Sequence, residues 1–199
     1  MTGWSDNMKG AALMVGSMAC FGFGDACIKA LGGAMPLSQV LTVRGVIASI
    51  FIAILARTFG QLRFDFARRD WGLVALRAAS EVGAAFFFLN ALLNMPFANV
   101  TALLQMLPLT VTLASAVFFG EPVGWKRWSA IVIGFVGMLL IVRPGTAGFD
   151  AWSLYALVAV VCVTVRDMAT RRMAPSVPSL AVTLVSSVAV LVFAALWSL

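Results

Sequence analysis

Apolar residues run along this chain in blocks, and the blocks share one length. A bilayer's hydrocarbon core of about 30 Å takes about 20 helical residues to cross. Seven stretches of that order stand in the sequence, at residues 10–31, 37–56, 71–94, 97–120, 125–142, 152–170 and 180–199. The polar breaks between them are short, so consecutive spans are expected to be antiparallel neighbours. The pattern predicts an all-α polytopic membrane protein with no soluble domain.

Charge placement orients the spans. With the N-terminus inside, Lys9, Arg57, Arg63, Arg68, Arg69, Lys126, Arg127, Arg171 and Arg172 all fall on the inner side. The outer loops then hold only Arg143, with Lys29 snorkelling towards the same side. Trp4, Trp71, Trp125, Trp128, Trp152 and Trp197 lie at or near predicted span ends, where indole rings anchor at the headgroup level. The first apolar run closes on Asp25 and Lys29 without a small-x-small cleavage site, which predicts a retained span.

Composition agrees with the pattern. Hydrophobic residues make up 62% of the chain and charged ones 11%, against about 25% in soluble domains; the mean hydropathy is +1.01. The net charge of +6 follows the loops, and no basic run is interleaved with aromatics, so no nucleic-acid partner is expected. Cys20, Cys27 and Cys162 sit within apolar spans and read as small hydrophobes. The absence of histidine removes the commonest metal ligand and general base, and no metal or cofactor is expected.

An ungapped shift of 142 residues lays Cys20 on Cys162, Asp25 on Asp167, Lys29 on Arg171 and Pro36 on Pro178. Val40, Val43, Val46, Phe51 and Ala53 fall on Val182, Val185, Val188, Phe193 and Ala195. A unit of five spans reverses its direction in the next copy, which predicts an inverted-topology repeat of the kind on which many secondary transporters are built. The first repeat is expected over residues 1–145. Residues 146–199 then hold two of the second repeat's five spans, so the chain reads as truncated.

Ala91-Leu92 late in span three, Pro108 within span four, Gly120-Glu121 at its end and the Gly134/Gly137 pattern of span five stand together between Phe86 and Gly145. In these features the chain resembles the EamA-type drug/metabolite transporter superfamily. The resemblance implies two inverted five-helix repeats that move small organic solutes by alternating access, with spans eight to ten missing here. `LRAASEVGAAFFF` and `VRDMATRR` also look like the bacterial subgroup of riboflavin and S-adenosylmethionine importers. That likeness implies the bacterial inner membrane.

Charges within spans are costly, at roughly 2.5–3.5 kcal/mol each on insertion scales, and mark partners or wet cavities. The candidates are Asp25, Arg44, Arg77, Glu81, Arg166 and Asp167. Asp25 and Arg44 stand nine residues before and ten after the turn near Ala34, at similar depth, and are expected to pair. Arg77 and Glu81 share one face of span three. Two readings stand side by side: the pairs neutralise one another and lock helices together, or they line and gate a solute path. Asn90 and Gln105 are the deepest of the amides near the outer side and are candidate solute contacts, the alternative being helix-end satisfaction. Pro108 is expected to kink span four. Glu121-Pro122 is expected to start span five, with acid at the helix's positive end. Ala130 and Gly134 form a small-xxx-small pair that serves either packing within the repeat or a homodimer.

Three functions are weighed. A secondary transporter is favoured by the repeat, the in-span charges and the resemblance; `GEPVGWKR` lacks the Gly-Lys-Ser/Thr order of a phosphate-cradling loop. A membrane-embedded enzyme acting on lipids is disfavoured, because no span carries paired carboxylates. A non-transporting fragment of such a carrier is the third. The expected partners are a small organic solute and the lipid bilayer.

Overall fold

The computed structural model describes residues 6–31, 34–122, 124–142 and 151–198. Trp4, Arg143, Gly145 and Leu199 lie outside them. Among the described residues the chain forms eight helices: α1 (Asp6–Ala30), α2 (Leu37–Thr58), α3 (Arg68–Asn94), α4 (Phe97–Leu104), α5 (Leu107–Phe119), α6 (Trp125–Val142), α7 (Ala151–Arg172) and α8 (Ser179–Trp197). Among the described residues, six stretches are long and apolar enough to cross a membrane: Met8–Ala30, Leu37–Thr58, Arg68–Asn94, Phe97–Phe119, Ala151–Arg172 and Ser179–Trp197. The protein is an all-α polytopic membrane protein.

Span four is two helices in series. Pro108 has no N–H to offer the Leu104 carbonyl, and its ring crowds that carbonyl, so a helix cannot run through unbroken. α4 therefore ends at Leu104, and α5 restarts at Leu107 with Pro108 in its first turn. Gly120 closes α5 in the left-handed region (φ 64°), which a side chain would disfavour. The Gly-Glu pair is thus a helix stop. Glu121 and Pro122 precede α6, which begins only at Trp125 and has no acid in its first turn. The expected dipole role of Glu121 is corrected accordingly: four positions separate the Gly120 cap from the start of α6.

The described residues fall into two compact units, one running to Met35 and the other from Pro36 onward. In the second unit, α3 and α7 run antiparallel, with Asp70 near Ala174, Glu81 on Arg166 and Phe87 on Tyr155. α5 and α7 run parallel: Thr110 meets Thr164 (2.9 Å) and Arg171 meets Ser115 (2.9 Å). Because α7 follows α5 in the same direction, the chain must return across between them. α6 lies between them in the chain, but the crossing expected there is not among the six stretches long and apolar enough to span.

Small residues let these helices approach. A Cβ on Gly83 of α3 would stand 3.2 Å from Cys162 Sγ of α7, and Ala78, Ala84, Ala91, Ala156 and Ala159 are all buried. Such close backbone approach is how helices associate in lipid, where hydrophobicity gives no drive. α2 and α8 pack in the same way. A Cβ on Gly45 would lie 3.1 Å from Leu191 Cβ, and Ser49 and Ser187 share a 2.9 Å hydrogen bond. Gly134 of α6 lies under the Leu109 side chain of α5. Of the two uses left open for Ala130 and Gly134, Gly134 is therefore occupied by packing within the chain.

Candidate functional site

Arg77 and Glu81 stand one turn apart on α3, and Arg166, Asp167 and Thr170 stand on the last turns of α7. Antiparallel packing brings the two sets together. Arg166 is the hub: its Nη1 lies 3.3 Å from Glu81 Oε2, and its Nη2 lies 3.0 Å from Asp167 Oδ1. Its Nε also donates to Asp167 Oδ1 at 3.0 Å. The side chains of Arg166, Glu81 and Asp167 are 27%, 31% and 37% exposed, so the network is partly enclosed between the helices.

Of the two readings left open, the one in which Arg77 and Glu81 neutralise one another within α3 is corrected. Glu81 pairs with Arg166 rather than with Arg77, and Arg77 Nη1 donates to Thr170 Oγ1 of α7. Two residues on one helix face point at the same neighbour, and across an antiparallel interface each finds its own opposite number. Adjacent residues on a helix point in different directions, yet Arg166 and Asp167 still meet, because the long arginine stem bends back over its neighbour.

Beside the network lies a cavity of about 250 Å³ between α3, α7, α8 and the loop joining the last two. Arg77, Thr170, Met173, Ser179, Val182 and Thr183 are among its walls. The loop is tied to α3 and the start of α8 to the α2–α3 connection: the Ala174 N–H donates to Asp70 Oδ1 and the Leu180 N–H to Gln61 Oε1, both at 3.4 Å. Asp70 is buried and takes an otherwise orphaned backbone donor.

Arg171 and Arg172 do more than flag a side of the membrane. Arg171 Nη1 donates to buried Ser115 (2.9 Å) and lies 3.8 Å from Glu121. Arg172 donates to the Phe118 carbonyl at 3.4 Å and stacks over the Phe119 ring at 5.1 Å. Together they staple the end of α7 to the end of α5. Sequence reading missed this role, and also missed the aromatic cluster at the other end of α3 and α7. There Phe86 packs against Phe87, Tyr155, Phe193 and Trp197 with ring centroids 5.2–6.4 Å apart. `FFF` on α3 and the Trp-x-x-Tyr of α7 carried the signal, masked by the general richness in aromatics.

The remaining candidates are not among the residues that form the network. Asn90 Nδ2 donates to the Phe86 carbonyl of its own helix at 2.7 Å. Nine residues beyond Glu81, it stands about 13 Å further along α3 at 1.5 Å per residue. Gln105 is exposed at the break between α4 and α5. Arg44 is exposed on α2 in the second unit, whereas Asp25 is on α1 in the first.

Residues 8–143 match the model of the EamA-like transporter family. The chain is similar to the pseudopaline exporter of Pseudomonas aeruginosa, 26% identical over 152 residues, which covers 75% of this chain and 51% of that protein. A riboflavin transporter of Vibrio cholerae is 31% identical over 121 residues, covering 60% of this chain and 40% of the relative. An S-adenosylmethionine uptake transporter of Rickettsia felis is 26% identical over 77 residues, covering 39% and 26%. The chain thus spans about half the length, or less, of the curated relatives it matches. No solved structure matches it significantly.

Proposed function

We propose, because the chain belongs to the EamA-like transporter family, that it is a secondary transporter of a small organic solute in a bacterial cytoplasmic membrane. It works by alternating access with its N-terminus on the cytoplasmic side. The observation that carries this reading is the Glu81–Arg166–Asp167 network. In the repeat scheme α3 belongs to the first copy (1–145) and α7 to the second (146–199), so the charges bridge the line along which the copies move against each other. Partly enclosed ion pairs that form and part between two packings suit a gate, since each packing must satisfy the same charges differently.

Helix ends and contacts support the repeat. α1 ends at Ala30 and α7 at Arg172, and α2 and α8 start behind Pro36 and Pro178. Both pairs are 142 positions apart. The same shift exchanges the two α2–α8 contacts: Gly45 moves onto Ser187, and Ser49 onto Leu191. That exchange is the signature of a twofold-related contact. The pairing of Asp25 with Arg44 and solute contacts at Asn90 and Gln105 remain part of the proposal, as does a homodimer, for which the Gly134 face would compete with Leu109.

The test is exchange of labelled solute by the chain in proteoliposomes, a format indifferent to import or export. Riboflavin, S-adenosylmethionine and amino acids form the first panel. Exchange by the native chain that Glu81→Gln abolishes or uncouples from pH supports the gate. Unchanged, normally pH-dependent exchange in Glu81→Gln removes the network from the mechanism and leaves it a helix lock.

A further inference from the structure

We infer that the cavity beneath Arg77 is a binding site for a small solute carrying an oxyanion, in particular a hydroxy- or amino-carboxylate. Arg77 takes the carboxylate. The inference rests on the transport reading for its purpose but stands on its own geometry.

The cluster holds two acids and two arginines, and the pairing is uneven. Arg166 engages both Glu81 and Asp167. Among the described residues, Arg77 has no ion pair; Thr170 is its hydrogen-bond partner, and its Nε is enclosed with no acceptor. A guanidinium cannot shed its charge and offers five N–H donors in a planar fork. A partly enclosed cation with an unmet donor is costly unless an anion completes it. Nine residues into α3, Arg77 lies about 13 Å from that helix's start, at 1.5 Å per residue, and the cavity it lines is where a ligand can meet its guanidinium.

The cavity walls define the rest of the ligand. No acidic side chain is among the lining residues; of the acids nearby, Glu81 and Asp167 are engaged by Arg166, and Asp70 by the Ala174 N–H. The Thr170 hydroxyl donates to the Arg166 carbonyl and that of Thr183 to the Ser179 carbonyl, both at 2.8 Å. Their protons are spent, and what they offer a ligand is lone pairs. Met173 and Val182 supply apolar wall. The site therefore suits a compact molecule with a carboxylate at one end and an O–H or N–H donor beside it. The volume of about 250 Å³ is below the usual range for drug-sized ligands and fits a small metabolite.

The test measures the thermal unfolding of the full chain in zwitterionic nanodiscs. Lactate is compared with lactamide, its neutral counterpart, at equal ionic strength, and a third arm replaces the lipid with anionic phosphatidylglycerol. Lactate is expected to raise the midpoint by several degrees where lactamide does not. Arg77→Gln should erase that difference, and Thr183→Val should at least halve it. Thr183→Val, which leaves Arg77 and Thr170 intact, keeps the test open should Arg77→Gln fold poorly. Equal effects of lactate and lactamide, a lactate effect that survives Arg77→Gln, or full protection by phosphatidylglycerol alone would each overturn the site. Lactate binding without solute exchange would sink the transport reading and leave the site standing; exchange without any lactate effect would do the reverse.

Discussion

The two ends of the α3–α7–α8 interface are built from opposite materials. Towards the start of α3 the interface is polar: Arg77, Glu81, Arg166, Asp167 and Thr170 meet beside a cavity. Towards its end, Phe86, Phe87, Tyr155, Phe193 and Trp197 interlock ring on ring. Gly83 marks the seam between them, where α3 comes closest to Cys162. Aromatic packing closes space, whereas charges hold helices together and leave a place for water or a ligand. In the proposed orientation the polar end faces the cytoplasm and the aromatic end the other side.

That contrast can be broken from either side. The largest effect is expected at the hub: Arg166→Gln strands Glu81 and Asp167 between helices and should cost about 2–4 kcal/mol in unfolding free energy. Adding Glu81→Gln should recover at least half of the loss, as read by a double-mutant cycle. At the sealed end, Phe86→Ala removes contacts to four rings and should cost about 2–3 kcal/mol. It should also raise solute leak in proteoliposomes, which Arg166→Gln is not expected to do. Gly83→Ala presses on Cys162 at the seam and should cost about 1 kcal/mol, relieved by Cys162→Ala. The smallest change is Thr170→Val, which takes the acceptor from Arg77 and should cost about 0.5–1 kcal/mol, since the freed N–H turns to the cavity.

Much of this interface was legible in the chain, but not its partners. The spans follow from apolar block length, and the break before Pro108 follows from a missing N–H. Arg77, Glu81, Arg166 and Asp167 stood out because charge is costly within a span. Which charge meets which depends on the register of α3 against α7, set by close approaches such as Gly83 on Cys162. No local pattern encodes that register across 85 residues, so the spacing places Glu81 and Arg77 on one face of α3 and does not reveal Arg166. Arg171 shows the same limit: its basic character marks a helix end, but Ser115, its partner, lies in another span. Gly120 was visible as part of a motif, and only its left-handed backbone explains why glycine stands there.

Accessibility along α8 tests the central contrast most directly. With Cys20, Cys27 and Cys162 replaced by alanine, Thr183→Cys samples the cavity and Phe193→Cys the aromatic seal, ten residues further along the same helix. A membrane-impermeant, anionic thiol reagent is applied to sealed vesicles from either face. The account predicts fast labelling of Thr183→Cys from the cytoplasmic face alone, with Phe193→Cys protected from both faces until Phe86→Ala is added. Equal labelling at the two positions, or labelling of Phe193→Cys while the cavity position stays protected, would contradict it.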